Sequence, residues 1–105
     1  MDLAESVYAV TKLLPPEERF NLVTQLRRSV VGIPSNISEG HQQSTAVYRR
    51  YVTIALGCLA ECETQLELAR RLNLAPEPQL RAIIAKTVPV RRILHGLLRS
   101  LRKKP

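Results

Sequence analysis

Gln25-Leu26-Arg27-Arg28-Ser29-Val30-Val31-Gly32-Ile33-Pro34-Ser35-Asn36-Ile37-Ser38-Glu39-Gly40 is the stretch that decides the fold. Leu26, Val30, Ile33 and Ile37 recur at steps of four, three and four, which lays them on one buried face of a helix. Pro34 sits inside that run. Proline removes one amide donor and crowds the carbonyl of Val30, four residues back, so a Pro-kinked helix is expected, bending or pausing there. Ser35 and Asn36 are close enough to offer polar groups to the freed backbone. Gly40 suits a left-handed C-terminal cap. Two readings of the kink compete: a packing feature of a core helix, or a small-ligand site made by an exposed carbonyl and Asn36. The first is favoured, because proline kinks in packed helices are usually structural.

Similar signals extend outward in both directions. Upstream, Leu3, Val7, Val10 and Leu14 form the stripe of a first helix over about 2–14, with Asp2 and Glu5 spaced as a capping box. Pro15-Pro16 stops it. Pro16 followed by Glu17 and Glu18 then signals the start of the second helix, over 16–39, which carries Phe20, Leu22 and Val23 onto the apolar face. Downstream, His41-Gln42-Gln43-Ser44 is short enough to make the next helix an antiparallel neighbour. That third helix spans 45–72, capped by Ser44 or Thr45. Its stripe is Val47, Tyr51, Ile54, Ala55, Cys58, Leu59, Cys62, Leu66 and Ala69, widened by Val52 and Leu56. After a Pro-bracketed loop, the fourth helix over 78–102 turns Leu80, Ile83, Ile84, Val88, Leu94, Leu97, Leu98 and Leu101 inward. Pro89 predicts a kink there, or a helix that properly begins near Val90. Four such stripes specify an all-α, antiparallel up-down four-helix bundle, one domain over 1–105.

Composition agrees and excludes several classes. Hydrophobic residues make up 45% of the chain and tryptophan is absent, so the core is built from Leu, Ile, Val and Ala, a choice that favours close-packed helices. No long uncharged apolar run marks a membrane span, and Asp2 and Glu5 stand where a signal peptide has basic residues. Cys58 and Cys62, one helical turn apart, are too widely spaced for a relaxed disulfide and read as small core residues in a reducing cytoplasm. No phosphate loop, dinucleotide-binding turn or nucleophile elbow occurs. His41 and His95 do not follow a glutamate by three residues, and the cysteines lack a second pair, so neither a metal nor a cofactor is expected. The chain is read as a non-enzyme without a small-molecule substrate.

Gln25-Leu26-Arg27-Arg28 and then Ile33-Pro34-Ser35-Asn36-Ile37-Ser38-Glu39-Gly40, together with Ala55-Leu56-Gly57-Cys58-Leu59-Ala60-Glu61-Cys62-Glu63-Thr64-Gln65-Leu66, resemble the signature of the bacterial four-helix bundle proteins first noticed in ribosomal-RNA intervening sequences. The resemblance runs from about Leu13 to Leu101 and marks Gln25, Arg28, Pro34, Asn36, Glu39, Gly40 and Glu61 as structural signature. It implies a bundle that assembles as a ring, commonly of five subunits, with no established catalytic residues. Among related proteins it implies the accessory variability determinants of diversity-generating retroelements, which are basic, pentameric and nucleic-acid-binding. Members usually carry a longer N-terminal segment with a tryptophan. Helix one, at about 20 Å, cannot cover the groove between its longer partners, and the uncovered apolar surface is expected to promote self-association. Pro89 departs from the family pattern.

Charge supplies the functional lead. The formal net charge is +7, and from Gln79 onward there are basic residues and no acidic one. Arg92, His95, Arg99 and Arg102 recur at helical spacing opposite the leucines, with Arg91 beside them and Lys103 and Lys104 beyond. Such a row can contact successive phosphates of RNA or DNA, and a ring would repeat it. The alternatives are a solvated face near a helix C-terminus, or a scaffold whose basic face docks an acidic protein. Gln25 and Glu61 either face inward, with Arg27 or Arg28 as partner for Glu61, or are simply exposed.

Overall fold

The computed structural model describes residues 2–104. Four helices follow one another: α1 (Asp2–Thr11), α2 (Leu22–His41), α3 (Thr45–Arg71) and α4 (Glu77–Arg102). There is no strand among the described residues. α1 packs on α2 and α4, and α3 packs on α2 and α4, so α1 lies diagonally across the bundle from α3. Antiparallel register is visible in cross-helix pairs. Ser29 on α2 donates to Gln65 Oε1 on α3 (2.8 Å), and Lys86 on α4 donates to Ser6 on α1 (2.7 Å). Val7, Leu26, Val30, Leu59, Leu66 and Leu80 are almost wholly buried, each contributing roughly 1.5–3 kcal/mol of transfer free energy. The quoted stretch behaves as its period requires: Leu26, Val30 and Ile33 are buried, and Ile37 is half-buried against both halves of the core.

Several boundaries differ from expectation. Pro16–Glu18 forms a separate 3-10 turn, and α2 begins only after Asn21, whose backbone (φ −124°, ψ −103°) breaks the helical path. Phe20 therefore never joins the stripe and is 89% exposed. α1 stops at Thr11 rather than Leu14. The Thr11 hydroxyl donates to the Tyr8 carbonyl (2.8 Å) and accepts from Arg27 Nε (2.9 Å), tying the helix end to α2. Asp2 lies in the first turn of α1, and its carboxylate sits 3.7 Å from Lys86 Nζ. Neither internal proline stops its helix: α2 runs through Pro34 without a pause, and α4 neither ends at Pro89 nor restarts at Val90. At Pro89 the carbonyl that loses its donor belongs to Ala85, and both residues are exposed, so water can serve it. Near Pro34, Asn36 Nδ2 donates to the Gly32 carbonyl (2.7 Å) rather than to that of Val30.

The inner faces of α3 and α4 are also rotated from the expected stripes. Val52, Ala55, Leu59, Cys62, Leu66 and Ala69 form the buried line of α3, while Val47 and Ile54 fall outside it. On α4, Thr87 is buried where Val88 was expected. Its hydroxyl oxygen is 2.6 Å from the Ile84 carbonyl and 2.9 Å from Glu63 Oε2. Arg91 pairs with the same Glu63 carboxylate, so α3 and α4 share a polar seam beside the core.

Gly40 has a different task from the one its position suggests. It lies inside α2, and no glycine has positive φ. A β-carbon there would stand 2.5 Å from Tyr51 Cβ and 3.0 Å from Tyr48 Cδ1. Gly40 thus permits α2 and α3 to approach at the top of their hairpin. The left-handed residue is Asn73 (φ 54°), which ends α3. The Leu74 amide bonds the Ala69 carbonyl (3.0 Å) and the Asn73 amide bonds that of Arg70 (3.1 Å), a Schellman closure in which Leu74 packs back onto the core.

A cluster of ion pairs secures the α3–α4 turn. Arg70 donates to Glu67 (Nε to Oε1, 3.1 Å) and to Glu77 (2.9 Å), with Arg71 and Arg81 adding contacts. Hydrogen bonds from Arg70 hold the Glu67 carboxyl down to about 2, and Arg70 likewise lowers that of Glu77. A lowered carboxyl pKa contributes stability that is present above the ordinary value near 4.5 and is lost as pH falls toward 2. The melting temperature followed by circular dichroism is therefore expected to drop between pH 5 and 2.5, and to drop less in Glu67→Gln. Equal drops in both proteins would contradict this assignment.

Candidate nucleic-acid interface

The basic row on α4 is positioned by the leucines behind it. Leu94, Leu98 and Leu101 are buried, and the solvent side of the same turns holds Arg92, His95, Arg99 and Arg102, all exposed. Lys103 caps the helix, and Lys104 follows it, also exposed. Arg91 differs: it is half-buried and paired with Glu63, so its guanidinium is held against α3.

Packing adds two residues that the sequence reading passed over. Val52 of α3 packs with Leu98 and Leu101 of α4, with Tyr48 against the same cluster. The first turns of α3 therefore lie beside the last turns of α4, and Arg49 and Arg50 come to the end that carries Arg99, Arg102, Lys103 and Lys104. The available signal was the short loop before α4. An antiparallel α3–α4 hairpin places the beginning of one helix level with the end of the other.

Ion pairing separates this end from the rest of the α3–α4 hairpin; elsewhere Lys12, Arg19, Arg27, Arg28 and Arg92 are also without ion pairs among the described residues, but they are spread along the chain. Arg70, Arg71, Arg81, Lys86 and Arg91 all form ion pairs. Arg49, Arg50, Arg99, Arg102, Lys103 and Lys104 form none among the described residues. Glu39, near the end of α2, is the one carboxylate carried by the helix turns that meet there. Six unneutralised cations at one end raise a positive potential that a row along a single helix would not reach alone.

The signature residues fall elsewhere. Gln25, Arg28 and Glu61 line a groove of about 210 Å3 on the outer seam of α2 and α3. All three are exposed rather than inward-facing. Gln65, held by Ser29, donates to Gln25 Oε1 at 3.4 Å. Arg27 bonds Thr11 and lies 4.8 Å above the Tyr8 ring centre, and Arg28 forms no ion pair with Glu61. Pro34 and Glu39 line a separate shallow depression against Ala4. Asn36 spends its amide on Gly32 and lies 3.9 Å from Cys58 Sγ, so the groups needed for a ligand site at the proline are not assembled.

Little here supports bond-making chemistry. Burial pushes the Cys62 thiol up to about 11 and raises that of Cys58, which disfavours a thiolate nucleophile. Among the described residues no three His, Cys, Asp or Glu side chains are grouped to hold a metal ion. No helix is long and apolar enough to cross a membrane among the same residues.

Comparison with known proteins places the chain. No curated protein matches it. A solved structure from Bacteroides thetaiotaomicron, described as a protein of unknown function from the S23 ribosomal protein family, is 28% identical. It covers 92% of this chain and 92% of its own, with a TM-score of 0.83. The family described as 23S rRNA-intervening sequence protein matches residues 1–96, and the chain belongs to that family.

Proposed function

We propose that this chain is a non-enzymatic protein that binds RNA or DNA through the phosphate backbone and acts in the cytoplasm as a homo-oligomer. A ring of five is the form that the family resemblance implies. The observation that carries the reading is the gathering of charge: Arg49, Arg50, Arg99, Arg102, Lys103 and Lys104 come together at one end without ion-pair partners among the described residues, while Arg70, Arg71, Arg81, Lys86 and Arg91 are each tied to a carboxylate. Arginine forks suit phosphate oxygens, and each contact made releases condensed counterions. The cysteines, neither of them in a disulfide, fit a reducing compartment.

Base reading has little support at this end. Tyr48 and Tyr51 are half-buried, and His41 is packed edge-on against Tyr48 at 5.6 Å. Exposed Phe20 and Tyr8 lie on other parts of the molecule. Without a stacking platform the protein should bind many sequences about equally well.

Fluorescence anisotropy with unrelated duplex DNA and structured RNA tests the reading. Comparable affinities are expected for unrelated sequences. Six phosphate contacts should cost about 1,000-fold or more between 50 and 200 mM salt. Absence of binding at the lowest salt would overturn the proposal and direct the search to an acidic protein partner.

A further inference from the structure

Among the apolar surfaces left exposed once the core and the basic end are accounted for, two lie on opposite sides of the bundle. The first is a groove of about 670 Å3 along the outer seam of α2 and α3, floored by Leu22 and Ala60 and walled by Leu68 and Leu72. Leu68 and Leu72 are 46% and 56% exposed. Its charged lining residues are Glu18 and Glu61, with no lysine or arginine. The second is a ridge on α4. α1 begins level with Lys86, which touches Asp2 and Ser6, so among the described residues α4 runs on past it without cover. On that stretch Ile93 projects, 68% exposed, with Pro89, Gly96 and Leu97 on its side of the helix and Arg92 at its edge.

The order of packing fixes how these surfaces are related. α1 and α3 are diagonal, as are α2 and α4, so the α2–α3 face and the α1–α4 face are opposite sides of one molecule. A groove on one side and a ridge on the other cannot be satisfied by a two-fold pair using the same patch twice. They suit head-to-tail association, which closes into a ring when the rotation permits.

We propose that the occupant of the α2–α3 groove is the Ile93 ridge of a second copy of this chain. Ile93 enters between Leu68 and Leu72, and Arg92 lies at the rim toward Glu18 and Glu61. The signs are complementary and the apolar surfaces are of like kind. This inference rests on the homo-oligomer reading above and names the surfaces it uses. It leaves Arg49, Arg50 and Arg102 outside the contact.

The test is light-scattering mass of the full chain at tens of micromolar, using Ile93→Asp and Leu68→Asp. Both positions are exposed in the single chain, and unchanged circular dichroism confirms that the fold survives. Wild type is expected as a multiple of 11.8 kDa, and each variant alone as a monomer. Mixing them is the decisive step. Ile93→Asp retains a sound groove and Leu68→Asp a sound ridge, so the mixture should form a 1:1 dimer and stop there. A monomeric wild type would overturn both this inference and the oligomer reading. An oligomeric wild type with either variant unchanged in mass would overturn only the assigned surfaces, as would a mixture that stays monomeric.

Discussion

Arg99→Glu/Arg102→Glu should bind duplex DNA roughly 30- to 100-fold more weakly than wild type at 100 mM salt, while Lys12→Glu/Arg19→Glu should bind within a few-fold of it. Both double variants lower the formal charge by four, from +7 to +3. All four residues are exposed, and none of them forms an ion pair among the described residues. The pairs differ in place: Lys12 and Arg19 flank the α1–α2 connection, far from the last turns of α4. If each phosphate contact contributes about 1 kcal/mol, reversal removes that and adds repulsion, which yields the stated factor for two residues. Anisotropy with the same duplex measures it. Equal losses in both variants would show that net charge alone governs binding and that the basic end is not a site.

Two glycine substitutions should change stability in opposite directions. Gly40→Ala places a methyl carbon 2.5 Å from Tyr51 Cβ, close to the backbone of α3, where neither helix can yield without opening the hairpin. Overpacking of this kind costs about 1–3 kcal/mol, more than the up to ~1 kcal/mol that alanine gains in helix propensity. Gly57→Ala meets nothing within 4 Å and should stabilise by up to ~1 kcal/mol through backbone entropy. At roughly 4–8 °C per kcal/mol for a domain near this size, both shifts are resolvable by thermal melts. A neutral Gly40→Ala would mean that the helices have room to part.

Periodicity made the bundle readable, and the reason is physical. Leu26, Val30 and Ile33 could only be buried together on a helix, and they are. Positions where two local signals compete were harder. Pro16, Glu17 and Glu18 announce a helix start, yet they close only a 3-10 turn because the chain must still bend at Asn21. Gly40 stands where a cap is expected, but the approach of Tyr51 makes it a packing residue. Thr87 could not be placed in the core from its own identity; its burial depends on Glu63, twenty-four residues earlier on the facing helix.

The candidate site divides in the same manner. A run such as Arg99, Arg102, Lys103 and Lys104 is visible in one dimension. The arrival of Arg49 and Arg50 requires the α3–α4 hairpin, and the diversion of Arg91 to Glu63 requires its register. Sequence spacing grouped Arg91 with the basic row because adjacent residues on a helix share a turn. They do not share a direction, and 100° of rotation carries Arg91 to the seam.

If six cations at the ends of α3 and α4 act on phosphate together, counterion release registers all of them at once. The dependence of log K on log salt should have a slope near −0.9 for each phosphate contact on duplex DNA. Wild type is to be compared with Arg49→Ala/Arg50→Ala/Arg99→Ala/Arg102→Ala, which removes four of the six cations. A slope about one third as steep is expected in the variant, with weaker binding at every salt concentration. Parallel slopes would contradict it, because the four arginines would then release no counterions and the basic end would be no more than a solvated face.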